Sequence, residues 1–247
     1  MRAFDLDSFP AERPTWLGFL EEIAPAAFWA PLFSPEGYWD TRTRLQEVDK
    51  AMKAALGFGL DRLHREATAF FKHTYTHVLF YHGTRILDEQ NYRTHGLLRS
   101  SIENLNDTTR RMFGDSEALL RASSSLRASR YADHNHGRVG VWYSRRTLLV
   151  NGSYCFQGSE YLHLLSREMG PEFHERMTSA GRGAVVCCRL PLGEAEEFCA
   201  SLAELAVKHL FRIVDPEAPE AMYLEDHAPM LERDIPPEWI EIEFLPD

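Results

Sequence analysis

Long hydrophobic runs are absent from this 247-residue chain. Runs such as Val78–Tyr81 and Ala184–Cys188 are far too short to cross a bilayer as helices. The opening stretch, MRAFDLDSFPAERP, has no apolar signal core, so the expectation is a cytoplasmic protein, or one delivered to a target cell, with no membrane partner. Cysteine is scarce. Cys155, Cys187, Cys188 and Cys199 include no Cys-x-x-Cys pair, which argues against a zinc site or a disulfide framework. Cys187, Cys188 and Cys199 are expected to pack as small apolar residues. No GxGxxG opens a helix after a strand, no Walker lysine motif occurs, and no GxSxG elbow is present. Basic residues are outnumbered, 27 against 37 acidic, and the net charge of −10 disfavours a general nucleic-acid coat.

What is present is an ordinary globular composition, 44% hydrophobic and 26% charged, enough for one large domain or two small ones. The charge is uneven. Residues 191–247 hold 15 acidic and 3 basic residues, so nearly all the net acidity lies there. Residues 93–146 hold ten arginines against five acids, which suits a phosphate-rich ligand, although a solvated helix face explains most of them more simply. In Asp133-His134-Asn135-His136 two histidines stand two apart, with too few further ligands for a metal site.

Pro10, Pro14, Pro25, Pro31 and Pro35 interrupt an aromatic-rich N-terminal stretch that must pack onto something. Trp16–Ile23 reads as a short helix. Leu45, Val48, Met52, Leu56, Leu60, Leu63, Ala67, Phe70 and Phe71 recur at steps of mostly three and four, predicting helix over 41–75, kinked or split at Gly57 and Gly59. The period then changes. His77–Tyr81 and Val139–Ser144 read as strands, 85–98 as a short helix closed by Gly96, and Thr147–Tyr154 as strand or loop. Ser159–Met169 and Glu194–Leu210 read as helices, Ala184–Leu190 and Trp239–Phe244 as strands. The lack of regular βαβ alternation argues against a doubly wound sheet, and the expected class is α+β.

The sharpest motif is Leu79-Phe-Tyr-His-Gly-Thr-Arg85, followed by His95-Gly96-Leu97. A strand ending in His82-Gly83-Thr84 sets an imidazole at the sheet edge. Gly83 would admit a close ligand, and the Thr84 hydroxyl could bond it. The motif resembles the ADP-ribosyltransferase superfamily, which shares its nucleotide-binding fold with RNA 2′-phosphotransferases. Val139-Gly-Val-Trp-Tyr-Ser144 is similar to that family's strand presenting an aromatic ring to nicotinamide. Aligning the glycines puts Trp142 at the aromatic position, and aligning Tyr-Ser puts Tyr143 there. Alternation lets one face the pocket, and Tyr143 is preferred.

The resemblance covers about residues 77–245. It implies a split β-sheet core over 73–247. Residues 1–72 have no counterpart in that family, and their aromatics and helical spacing predict a segment that packs on the core. It implies NAD as substrate, no metal, and binding by His82, Gly83, Thr84, Arg85, Trp142, Tyr143, Ser144 and Tyr161. Two glutamates compete for the catalytic role beside His82 and Tyr143. Glu160 stands next to Tyr161, and Glu238 stands in Ile235-Pro-Pro-Glu-Trp-Ile240. Nicotinamide in NAD is already a cationic leaving group, so the chemistry needs ribose and ring held and a carboxylate near the oxocarbenium-like centre. The implied activity is transfer of ADP-ribose to a protein or nucleic-acid acceptor, as in effectors and toxin-type enzymes, for which an inhibitory partner is conceivable. RNA 2′-phosphotransfer ranks lower, because the second strand reads Val-Trp-Tyr-Ser where that family has a histidine. A catalytically inactive NAD-binding or protein-interaction module is the third reading.

Overall fold

The structure is a computed structural model that describes residues 2–33, 41–127, 137–158, 160–211 and 229–246, without the side chains of 41–44, 102–104, 106, 160 and 161. In chain order the elements are β1 (Ala3–Phe4), α1 (Phe9–Ile23), α2 (Ala26–Trp29), α3 (Thr41–Leu56), α4 (Leu60–Thr74), β2 (His77–Ile86), α5 (Glu89–His95), α6 (Ile102–Phe113) and α7 (Glu117–Arg127). They continue as β3 (Val139–Gly140), α8 (Arg145–Asn151), α9 (Glu160–Met169), α10 (Pro171–Ser179), β4 (Arg182–Pro191), α11 (Cys199–Phe211), β5 (Met230–Leu231) and β6 (Ile240–Phe244). The class is α+β, with helices dominant, as the sequence predicts.

Contacts divide the chain into two compact units, Met1–Leu79 with Arg189–Glu225, and Phe80–Cys188 with Asp226–Asp247. The division falls within β2 and β4 and not at 72/73. In the first unit Leu63, Ala67 and Phe71 recur every fourth residue on α4 and are fully buried. They pack chiefly against α11, whose Leu202, Ala203, Ala206, Val207 and Leu210 are buried. Each helix carries an apolar face that the other largely covers, so α11 groups with the N-terminal segment. The predicted break between α3 and α4 is real: Gly57 has φ +75°, beyond the comfortable range of other residues.

The N-terminal aromatics form one cluster in this unit. Phe4 packs edge-on against Trp16, Phe71 and Tyr75. The Trp29 indole N–H donates to Leu20 O at 2.8 Å and Ala24 O at 2.9 Å, closing the end of α1. β1 runs parallel to the start of β2, Ala3 opposite His77 and Phe4 opposite Val78.

In the second unit β4 lies between β2 and β6 and pairs antiparallel with β6, from Ala184 opposite Phe244 to Cys188 opposite Ile240. A separate antiparallel pair joins β3 to β5. A helical cluster is built from Phe113 of α6, Leu119, Ala122 and Leu126 of α7, Leu162, Leu165 and Met169 of α9, and Met177 of α10. The stretch from Thr147, expected as strand or loop, starts instead inside α8. Ser144 caps that helix, its Oγ accepting from Thr147 N at 3.0 Å, and Leu148 is its buried anchor.

The first unit hinges on one hydroxyl. Tyr75 Oη accepts from the Trp16 indole N–H at 3.0 Å and donates to Glu12 at 2.9 Å. Burial, with Glu12 beside it, raises the phenol's pKa, so it remains a donor. Tyr75→Phe strands the buried Trp16 N–H and should cost about 1–3 kcal/mol. Chemical denaturation of the variant measures the loss.

Candidate functional site

The second unit contains a cavity of about 810 Å³, the size of a dinucleotide-scale ligand site. Its wall begins with β2, which carries His82, Gly83 and Thr84 along it. Tyr81 N donates to Trp142 O at 2.9 Å, and Trp142 N donates to Tyr81 O at 2.7 Å. This bridge sets the 139–142 segment beside β2, so that Gly140 and Trp142 line the same cavity. Helix α5 supplies Tyr92, and α6 supplies Leu105, Thr108 and Arg111. Met230, from the segment 229–235, lines another side. Val139 pairs with Leu231, Gly140 with Met230 and Leu97 with Ile235.

The imidazole of His82 is fixed by one contact, Nδ1 to Gly140 O at 2.7 Å. A carbonyl only accepts, so Nδ1 carries the proton and Nε2 of the neutral ring is an acceptor. Burial depresses the imidazolium pKa, against the opposing pull of the Gly140 carbonyl. Thr84 Oγ1 and Tyr92 Oη lie 3.3 Å apart. Burial raises the Tyr92 phenol pKa, opposed by Thr84, so the phenol stays protonated. A neutral imidazole and two hydroxyls thus form a hydrogen-bonding strip able to hold ribose hydroxyls. Leu87, Leu98, Tyr154 and Met230 also line the cavity and are exposed, which gives its mouth an apolar edge suited to a planar ring.

No family model, curated protein or solved structure matches this chain.

The positions singled out in the sequence divide into groups. His82, Gly83, Thr84, Arg85 and Trp142 all line the cavity. Two of them have further duties. A Cβ on Gly83 would come within 2.8 Å of Cys155 Cβ and of Leu148 Cδ1, so side-chain packing requires glycine there, rather than the close approach of a ligand. Arg85 donates to Ala180 O at 2.5 Å, Phe156 O at 3.1 Å and Gly181 O at 3.2 Å, which ties its guanidinium to the backbone. Tyr143, preferred as the ring-facing aromatic, is instead 6% exposed and packs on Phe80, with ring centroids 5.7 Å apart. Strand alternation gives the cavity to Trp142. Ser144, expected at the cofactor, is fully buried and caps α8.

Glu238 is exposed on the turn Pro237–Trp239, and the described cavity lining does not include it. The side chains of Glu160 and Tyr161 lie outside the described residues, as do Asp133, His134, Asn135 and His136. Among the described residues no group of three His, Cys, Asp or Glu could hold a metal ion. Tyr92 was not legible as a site residue. Its only signal is its place on the short helix between His-Gly-Thr and Gly96, one turn before the glycine.

Two outcomes test this geometry. Gly83→Ala should destabilise the protein by about 1–3 kcal/mol through overpacking against Leu148 and Cys155, read from thermal or chemical denaturation. His82 is neutral when folded, and an unfolded histidine takes up a proton near pH 6.5. Stability should therefore fall as pH drops below about 6.5, until His82 itself protonates. His64 and His77 are also depressed by burial and act with the same sign. The measurement is thus the difference in melting temperature between wild type and His82→Asn, plotted against pH. A flat difference removes the buried neutral imidazole.

Proposed function

We propose that this chain is an ADP-ribosyltransferase-like enzyme that binds NAD in the cavity of its second unit. It cleaves the nicotinamide–ribose bond and passes ADP-ribose to a protein or nucleic-acid acceptor. The observation that carries this reading is the Tyr81–Trp142 bridge. It brings the His-Gly-Thr strand and the Gly-Val-Trp segment, far apart in sequence, to one cavity. The Gly96-Leu97 turn and Ile235 meet at the same place.

His82 Nε2 accepts a ribose hydroxyl, and Thr84 and Tyr92 supply further polar contacts. Trp142 stacks on the nicotinamide. The glycosidic bond breaks with its electron pair leaving on nicotinamide, which becomes neutral. A nucleophilic atom of the acceptor bonds to the ribose carbon and loses its proton to solvent. A carboxylate beside the oxocarbenium-like centre lowers the barrier. Glu160 is kept for this role over Glu238, because Glu238 is exposed and absent from the described cavity lining.

A binding module without turnover is the second reading. It is favoured by the described carboxylates of the cavity, Asp88 and Asp107, each of which has a local partner. Labelled NAD distinguishes the two. Wild type should release nicotinamide and transfer label. His82→Ala should lose most of the activity, Glu160→Gln should lose about a hundredfold or more, and Glu238→Gln should stay near wild type. Calorimetric NAD binding with no nicotinamide release establishes the binding module. No NAD binding at all overturns both readings.

A further inference from the structure

Arg85, Arg99, Arg111 and Arg138 line the cavity. Arg85 is tied to three backbone carbonyls, as described above. Arg99 Nε lies 3.3 Å from Asp234 Oδ1, and the same carboxylate accepts from Arg99 N at 2.7 Å. Arg138 NH2 lies 2.8 Å from Glu232 Oε1. Of the two lining carboxylates, Asp107 meets Arg110 at 3.3 Å, and Asp88 accepts from Gln90 N at the start of α5. Arg111 differs from these arginines. Its one contact among the described residues is Nε to Asp107 O at 3.4 Å, one turn back on the same helix, and no carboxylate lies within ion-pair reach. Arg111 is solvent-exposed at the cavity, and among the described residues its NH1 and NH2 groups have no partner.

We propose that Arg111 is the anion-binding side chain of this cavity and contacts the phosphates of a nucleoside diphosphate or dinucleotide. The inference rests on the nucleotide reading above and adds the residue that meets the charge. A guanidinium fork matches two phosphate oxygens, and among the described residues the other cavity arginines are already matched by acids or carbonyls, which leaves Arg111 for the ligand. Arg111 also stands in the last turn of α6, where the helix dipole favours positive charge. A structural role there would change stability, not ligand selectivity.

Arg121 of α7 is a matched control. It makes the same one-turn contact, Nε to Glu117 O at 3.4 Å, but does not line the cavity. The experiment is calorimetric titration of the full chain with ADP and, separately, with adenosine at low salt. Wild type should bind ADP more tightly than adenosine. Arg111→Gln should weaken ADP about tenfold and leave adenosine unchanged, with Arg111→Lys in between and Arg121→Gln equal to wild type. The ADP advantage should shrink as salt rises. If Arg111→Gln binds ADP as wild type does while adenosine still binds, Arg111 has no such role and the nucleotide reading survives. If Arg121→Gln loses as much as Arg111→Gln, the effect is net charge and the proposal fails. If wild type binds neither ligand, the nucleotide reading fails and takes this one with it.

Discussion

Two backbone hydrogen bonds between Tyr81 and Trp142 are the contact on which the cavity depends. They fix the register between β2 and the segment after β3. Once Trp142 is opposite Tyr81, the Gly140 carbonyl falls within reach of the His82 ring, and the histidine's tautomer is decided. The same register turns Trp142 to the cavity and Tyr143 to the core. One residue of slippage would exchange the two rings and deprive His82 of its acceptor. Position, protonation and ring presentation are therefore consequences of a single pairing.

The charge asymmetry of the sequence takes on a different meaning in the fold. Within the second unit, acids from the last third meet arginines from the basic stretch. Asp234 pairs with Arg99, Glu232 with Arg138, and Glu243 with Arg145. These pairs are solvent-exposed, and each contributes little stability by itself. Their larger effect is to remove positive charge that would otherwise be spread over the surface around the cavity. In the proposed reading a ligand phosphate would meet a localised cation and not a diffuse basic face, which suits one small anion better than the tracking of a nucleic-acid backbone.

Much of the fold could be read from spacing. The α3–α4 break at Gly57, the closure of α5 at Gly96 and the placement of α9, β4 and β6 follow from periodicity and glycine position, because those signals are local. Gly96 has φ +73°, a local requirement, and a Cβ there would also sit 2.0 Å from Ile235 O, so a local and a long-range requirement coincide at one residue. Other features depend on partners distant in the chain. Thr147–Val150 has strand-like composition, but Ser144 in cap position and Leu148 in the core make it helix. Arg85 looks like a ligand contact until the carbonyls of Phe156, Ala180 and Gly181 take up its donors. Trp142 and Tyr143 cannot be separated without the register. The α11 helix shows its apolar face in the sequence, whereas the face that covers it lies on α4.

The antiparallel closure by residues 229–235 sets an order of events. Arg99 and Asp234 are 135 residues apart, and Arg138 and Glu232 are 94 apart. The helices around Phe113, Leu165 and Met177 are close in sequence and can assemble early. The cavity wall cannot, because its last side emerges from the ribosome after everything it must join. Contact order therefore favours formation of the helical cluster before the cavity wall. The cavity is complete only when one short strand closes a very long loop.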